Sequence, residues 1–231
     1  MVQKPKKEMK KYANNQKNAL TDKQLRRLAD GREYRTMVME VRAAESTDES
    51  KMIVEGYATT FNQPYTLYED RYCKFVEQID PTAFTECDMS DVIMQYDHEG
   101  RVFARNKNGT LSLSVDSIGL KVTADLGGTD AGRQLYQEIK GGYTNKMSFA
   151  FKVEEDKKEY TEDRDKRFVT CTRTITKISK LYDVSAVSIP ANDMTSISAR
   201  RYADGVIEYI QAERLERANK AKKIKLKLLE V

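Results

Sequence analysis

From Tyr34 onward the sequence changes period to two, and no other feature limits the fold as much. In YRTMVMEVRA, Met37, Met39 and Val41 fall on one side of an extended chain. MIVEGYATTF, RYCKFVEQI, DVIMQYDH, TLSLSVD, GLKVTADL and NKMSFAFKVEE read as further short strands. FVTCTRTITKISKLYDVSAVSIP reads as two more, broken near Leu181 and ended by Pro190. DPTAFTE reads as a turn into a short helix, and EEDKKEYTEDRDKR as a charged loop. One stretch has a helical period between strands: GTDAGRQLYQEIKGGY, with Thr129 or Asp130 as N-cap, Leu135 and Ile139 on one face and Gly141-Gly142 as a stop. The expected class is α+β, a mainly antiparallel β-barrel or sandwich of about seven strands with a few flanking helices.

The ends read differently. Residues 1–35 carry 11 Lys/Arg against 4 Asp/Glu, and residues 200–231 carry 9 against 5. The body between them carries 20 against 27. The expected division is a basic N-terminal tail at 1–33 with a short helix in LTDKQLRRLADG, a β domain at 34–198, and a basic amphipathic helix or tail at 199–231. A nucleic-acid enzyme usually carries its basic patch on the working domain, so this distribution speaks against nucleic acid as the substrate. No apolar run reaches the ~20 residues a membrane-spanning helix needs, and the basic start lacks the apolar segment of a secretion signal. Cys73, Cys87 and Cys171 are odd in number and widely spaced, which implies free thiols in a reducing compartment rather than a disulfide frame or a zinc site. No metal or other cofactor is expected.

Two residues stand out as chemistry. Ser148 interrupts the apolar run of TNKMSFAFKV, where a buried hydroxyl needs a partner. His98 is the chain's single histidine, so any imidazole base must be this residue. It ends a strand and opens a turn, where reactive groups are commonly displayed. Each has an ordinary structural reading, as a strand serine and a turn histidine. Neither a GxSxG elbow nor a GxxxxGK[ST] loop is present, and Gly127-Gly128 read as loop before a helix cap.

Taken in order, six stretches resemble the prohead (procapsid maturation) serine proteases of tailed bacteriophages, a family distantly related to the herpesvirus capsid maturation proteases (assemblin). They are VEGYATTFNQ, FVEQIDPTAFTE, VIMQYDHEG, SVDSIGLKVTADL, GGYTNKMSFAFKV and LYDVSAVSIPAN, spanning about residues 35–195. Thr82 and Ala150 stand where the family usually has glycine. The resemblance implies that Ser148 is the nucleophile and His98 its general base, with Asp183 as the third member; Asp97 and Glu155 are its rivals. It further implies an endopeptidase that cuts capsid-protein and scaffolding-protein segments and itself. The setting would be the assembling procapsid in the host cytoplasm, as a homo-oligomer. Self-cleavage at the ends would leave an acidic core. The alternative is a non-enzymatic β-barrel assembly or scaffold protein of the virion, which would not need His98 and Ser148 to meet.

Overall fold

The computed structural model describes residues 30–40, 42–43, 51–71, 73–163 and 168–188. The expected C-terminal helix, and the N-terminal helix but for its last two residues, lie outside them. The alternating stretches become strands β1 (Arg32–Glu40), β2 (Arg42–Ala43), β3 (Ile53–Thr60), β4 (Tyr65–Glu69), β5 (Cys73–Ile79), β6 (Ile93–Tyr96), β7 (Glu99–Arg105), β8 (Leu111–Val115), β9 (Gly119–Asp125), β10 (Lys146–Asp163) and β11 (Phe168–Val187). Helix α1 spans Asp130–Lys140 and is capped by Thr129, whose hydroxyl accepts from the Gly132 amide.

One sheet has the order β1-β10-β11-β5-β4, with β6 pairing β11 and β7 pairing β6; the other has the order β2-β3-β9-β8. The mainly-β α+β class is as the sequence implies, but neither sheet closes into a barrel. Nor is the first sheet wholly antiparallel, because β11 runs parallel to both β5 and β6. The two sheets and α1 share one apolar cluster, which includes Val54, Leu120 and Val122 from the second sheet, Phe149, Phe151 and Ile175 from the first, and Leu135 and Ile139 from the helix.

Three local expectations change. The charged segment after Val153 is a strand over its described residues, 154–163. β10 continues through it to Asp163, paired with β11 as far as Asp163↔Phe168, because the Thr- and Val-rich partner TCTRTIT supplies a strong β ladder. The expected break near Leu181 is a bulge within a single strand. The register steps from Ala150↔Asp183 to Phe151↔Leu181, leaving Tyr182 as the extra residue. DPTAFTE stays a run of turns rather than a helix, since the Ala83 carbonyl accepts from Ile178 N on β11 at 2.9 Å.

The Asp-x-x-Gly hairpin between β8 and β9 has a direct cause. Asp116 Oδ1 accepts from the amides of Ile118 and Gly119, and Oδ2 accepts from Tyr57 OH at 2.6 Å. A Cβ at Gly119 would lie 1.9 Å from the Thr59 carbonyl oxygen, so no larger residue fits.

The first sheet also buries a charge network. Arg35 and Arg173 are each 1% exposed and Glu77 is fully buried. Arg35 Nε donates to Glu77 Oε1 at 2.5 Å, Arg173 Nη1 donates to Glu77 Oε2 at 2.8 Å, and Tyr65 OH also donates to Glu77 Oε1. Glu33 accepts from both arginines, and Asp156 from Arg173 Nε at 2.7 Å. The network ties β1, β4, β5, β10 and β11 together. Burial works against the ionised Glu33 carboxylate, but the charges and hydrogen bonds of Arg35 and Arg173 outweigh it and lower its pKa from 4.5 to about 2. Burial raises the Tyr65 phenol well above its ordinary value, and the Glu77 charge adds to the rise.

Two outcomes follow from this network. Removing Glu77 takes the central carboxylate from two buried guanidinium groups and leaves them only Glu33 and Asp156 as acidic partners, so Glu77→Ala lowers the unfolding free energy by about 3–5 kcal/mol in chemical denaturation. The depressed pKa of Glu33 means that its stabilisation is complete above pH 4.5 and is lost as pH falls toward 2. Denaturation midpoints of the parent and Glu33→Gln are therefore expected to differ at pH 6 and to converge across that window.

Candidate active site

β10 carries Ser148 between two partners, with Thr36 of β1 opposite on one side and Ser185 of β11 opposite on the other. Alternation divides the strand. Met147, Phe149 and Phe151 enter the main core, whereas Ala150 packs with Tyr34 and Tyr182 in a separate small cluster. Ser148 shares the face of Ala150, so the hydroxyl interrupts the apolar run without entering the apolar core.

The Tyr182 bulge does the equivalent on β11. Leu181, Val184 and Ala186 all reach the main core, a spacing that uninterrupted alternation cannot produce. The extra residue shifts the phase, so Asp183 and Ser185 face the side occupied by Ser148.

His98 arrives on a hairpin. Tyr96 pairs with Glu99 across β6 and β7, leaving the two-residue turn Asp97-His98. Both residues have positive φ, 49° and 59°, as the turn favoured by right-twisted hairpins requires. Histidine in this region carries a conformational cost, and such costs persist only where neighbours fix them. Asp97 supplies the fixing. Its amide donates to the Ala186 carbonyl at 3.0 Å, and its carboxylate accepts from Ser188 N at 3.1 Å and Ser188 Oγ at 3.0 Å.

The structure brings Ser148, His98 and Asp183 together. His98 Nε2 lies 2.6 Å from Ser148 Oγ, and Nδ1 is in hydrogen-bond contact with Asp183 Oδ1. All three are buried, with exposures of 0%, 5% and 2%. Tyr34 meets the imidazole edge-on with ring centroids 4.8 Å apart. The two rival acids are elsewhere: the Asp97 carboxylate is turned to Ser188, and Glu155 is exposed, seven residues farther along β10. Ser148 Oγ also donates to the Arg35 carbonyl at 2.9 Å. A hydroxyl has one proton, so Nε2 and this carbonyl compete for it.

Several participants escaped the sequence reading. Ser185 Oγ donates to Asp183 Oδ1 at 3.0 Å and lies 3.2 Å from His98 Nδ1. Tyr34 and the Arg35 carbonyl come from the segment at the edge of the expected tail. The available signal was Ser185 itself, two residues from Asp183 on a strand and therefore on the same face. The three cysteines are free thiols. Burial pushes the Cys87 thiol up to about 12, which keeps it protonated and unreactive. Among the described residues no group of three His, Cys, Asp or Glu is placed to hold a metal ion.

A serine hydroxyl on an imidazole whose other nitrogen meets a buried carboxylate is the arrangement of serine hydrolases. The family model described as Caudovirus prohead serine protease matches residues 38–206, and the chain belongs to that family. Family membership makes it a serine protease of phage capsid maturation. No curated protein and no solved structure matches it.

The Asp97 ties give a stability test. Asp97→Ala loses two carboxylate hydrogen bonds and puts a Cβ residue without a polar side chain at positive φ, lowering stability by roughly 1–3 kcal/mol. Asp97→Asn, which tolerates that φ and keeps an acceptor, loses less. Urea denaturation of the three proteins ranks them.

Proposed function

We propose that the chain is a serine endopeptidase in which Ser148 is the nucleophile, His98 the general base and Asp183 the acid that orients the imidazole. The carrying observation is the 2.6 Å separation of His98 Nε2 and Ser148 Oγ. Nε2 takes the hydroxyl proton as Oγ attacks the scissile carbonyl. The same proton is then passed to the leaving amine, and water repeats the sequence on the acyl-enzyme. Asp183 holds the proton on Nδ1, leaving Nε2 bare.

The substrates in this reading are segments of the capsid protein and the scaffolding protein, together with the enzyme's own ends. Family membership supports the capsid target, and the unequal charge of ends and body supports the self-cleavage. The protein works inside the procapsid in the host, as a homo-oligomer. Basic ends holding an acidic body in the shell would be cut away after use, leaving the body free to leave.

The test follows intact mass over hours for the full chain, Ser148→Ala, His98→Ala and Asp183→Asn, alone and with capsid and scaffolding protein. The parent is expected to shorten and to cut its partners. Ser148→Ala and His98→Ala stay whole, and Asp183→Asn slows by about 10⁴-fold. Equal shortening of all four would assign the cutting to another protease. No cutting by the parent, even with its partners, would favour the non-enzymatic assembly protein.

A further inference from the structure

Asp183 presents a charge problem that the triad alone does not solve. Its carboxylate is 2% exposed, and a buried charge needs donors beyond a single imidazole N–H. Ser185 supplies one. It is fully buried, stands directly opposite Ser148 in the β10–β11 ladder, and shares a strand face with Asp183. Its Oγ lies 3.0 Å from Asp183 Oδ1 and 3.2 Å from His98 Nδ1, closing a triangle with the contact between those two atoms.

The triangle has two proton arrangements, and they differ in consequence. If Ser185 donates to Nδ1, that nitrogen must be bare, and in the neutral ring the proton sits on Nε2, so Ser148 faces a donor instead of a base. If Ser185 donates to Oδ1, Nδ1 keeps its proton, donates to the same oxygen, and leaves Nε2 bare toward Ser148. A carboxylate is the stronger acceptor, and charge-assisted bonds are roughly twice as strong as neutral ones, so the second arrangement wins. We infer that Ser185 is a positioning residue for the reaction: its hydroxyl, given to the carboxylate oxygen that faces His98, fixes the Asp183 side chain and thereby the productive imidazole tautomer. The inference rests on the proposed roles of Ser148 and His98 for its effect on rate, but not for its effect on the ring.

Those two effects are separately measurable. His98 is the single histidine of the chain, so every imidazole ¹⁵N signal of the labelled full-length protein belongs to it. At a pH where the ring is neutral, the parent is expected to show a protonated Nδ1 and a bare Nε2. In Ser185→Ala the two nitrogen shifts move toward each other as the tautomers mix, and cutting of the chain or of capsid protein slows about tenfold. Ser185→Cys keeps the side-chain shape with a larger atom and a weaker donor, changes in the same direction, and decides the matter if the alanine variant fails to fold. An unchanged tautomer in these variants overturns the inference, even if the rate falls, because a merely structural role would slow cutting without moving the proton. If Ser148→Ala still cuts itself, the proteolytic reading fails while the nitrogen shifts continue to test Ser185.

Discussion

The site depends on one constraint: β11 is shared. Along one edge it pairs antiparallel with β10, which sets Ser148 opposite Ser185. Along the other it pairs parallel first with β5 and then with β6, and the second register runs from Asp183↔Ile93 to Ala186↔Tyr96. The β6 register ends one residue before the Asp97-His98 turn, so the imidazole is delivered over Asp183 and Ser185 by backbone hydrogen bonds rather than by a flexible loop. A parallel ladder needs a long crossover, which here is the whole chain between β6 and β11. Residues fifty and eighty-five positions away from His98 in sequence, Ser148 and Asp183, thereby meet it in space. Reacting groups on strands are held more exactly in place than groups on loops, and positional error is costly in catalysis.

This placement carries costs that other parts of the fold offset. Two successive residues at positive φ and a buried carboxylate each oppose folding. Asp97 offsets the first by tying the turn to Ala186 and Ser188. Ser185 and the imidazole offset the second. The Arg35–Glu77–Arg173 network works farther down the same sheet. An ion network adds little net stability compared with an apolar core of the same volume, but its fixed donor directions specify which strands lie side by side. It specifies β1 above all, since Glu33 and Arg35 bind across to β5 and β11 while the Arg35 carbonyl reaches Ser148. The charge network and the site therefore share a residue, one through its side chain and the other through its backbone.

Much of this was legible in the sequence where one rule sufficed. Alternation located β1, β3, β5, β6, β8 and β9, and α1 followed from its cap and period. What alternation could not supply was the effect of an inserted residue. The Tyr182 bulge makes a single strand look like two, because the apolar phase changes across it. The charged half of β10 has the pattern of a loop because both its faces are largely solvated; the information that it is a strand lies in its partner, residues 168–177. β7 went unread because its first four residues are exposed and carry little apolar signal, and β4 because it is only five residues long and has no fully buried face. Ser148 and His98 were legible as residue types, and the contact between them was implied only by resemblance. Glu77 and Arg173 carry a sequence signal of the buried network. Each occupies an inward position between apolar neighbours, Phe75 and Ile79 or Cys171 and Ile175, where a charge requires a buried partner.

The single proton of Ser148 connects these parts. Its oxygen has Nε2 at 2.6 Å and the Arg35 carbonyl at 2.9 Å, and it can donate to one of them at a time. Donation to the carbonyl fastens β1 to β10 and withholds the proton from Nε2. In the proposed mechanism, donation to Nε2 begins the chemistry, and it removes one of the bonds holding β1. The two states differ by rotation of one hydroxyl, so the balance between them is set by how good an acceptor Nε2 is. That in turn depends on Nδ1 keeping its proton against Asp183, with Ser185 on the same oxygen. In the role inferred for Ser185, the buried charges on one side of β1 and the hydroxyl of Ser185 on the other act on the same equilibrium from opposite directions: the first holds the Arg35 carbonyl in place as a competing acceptor, and the second keeps the imidazole the better one.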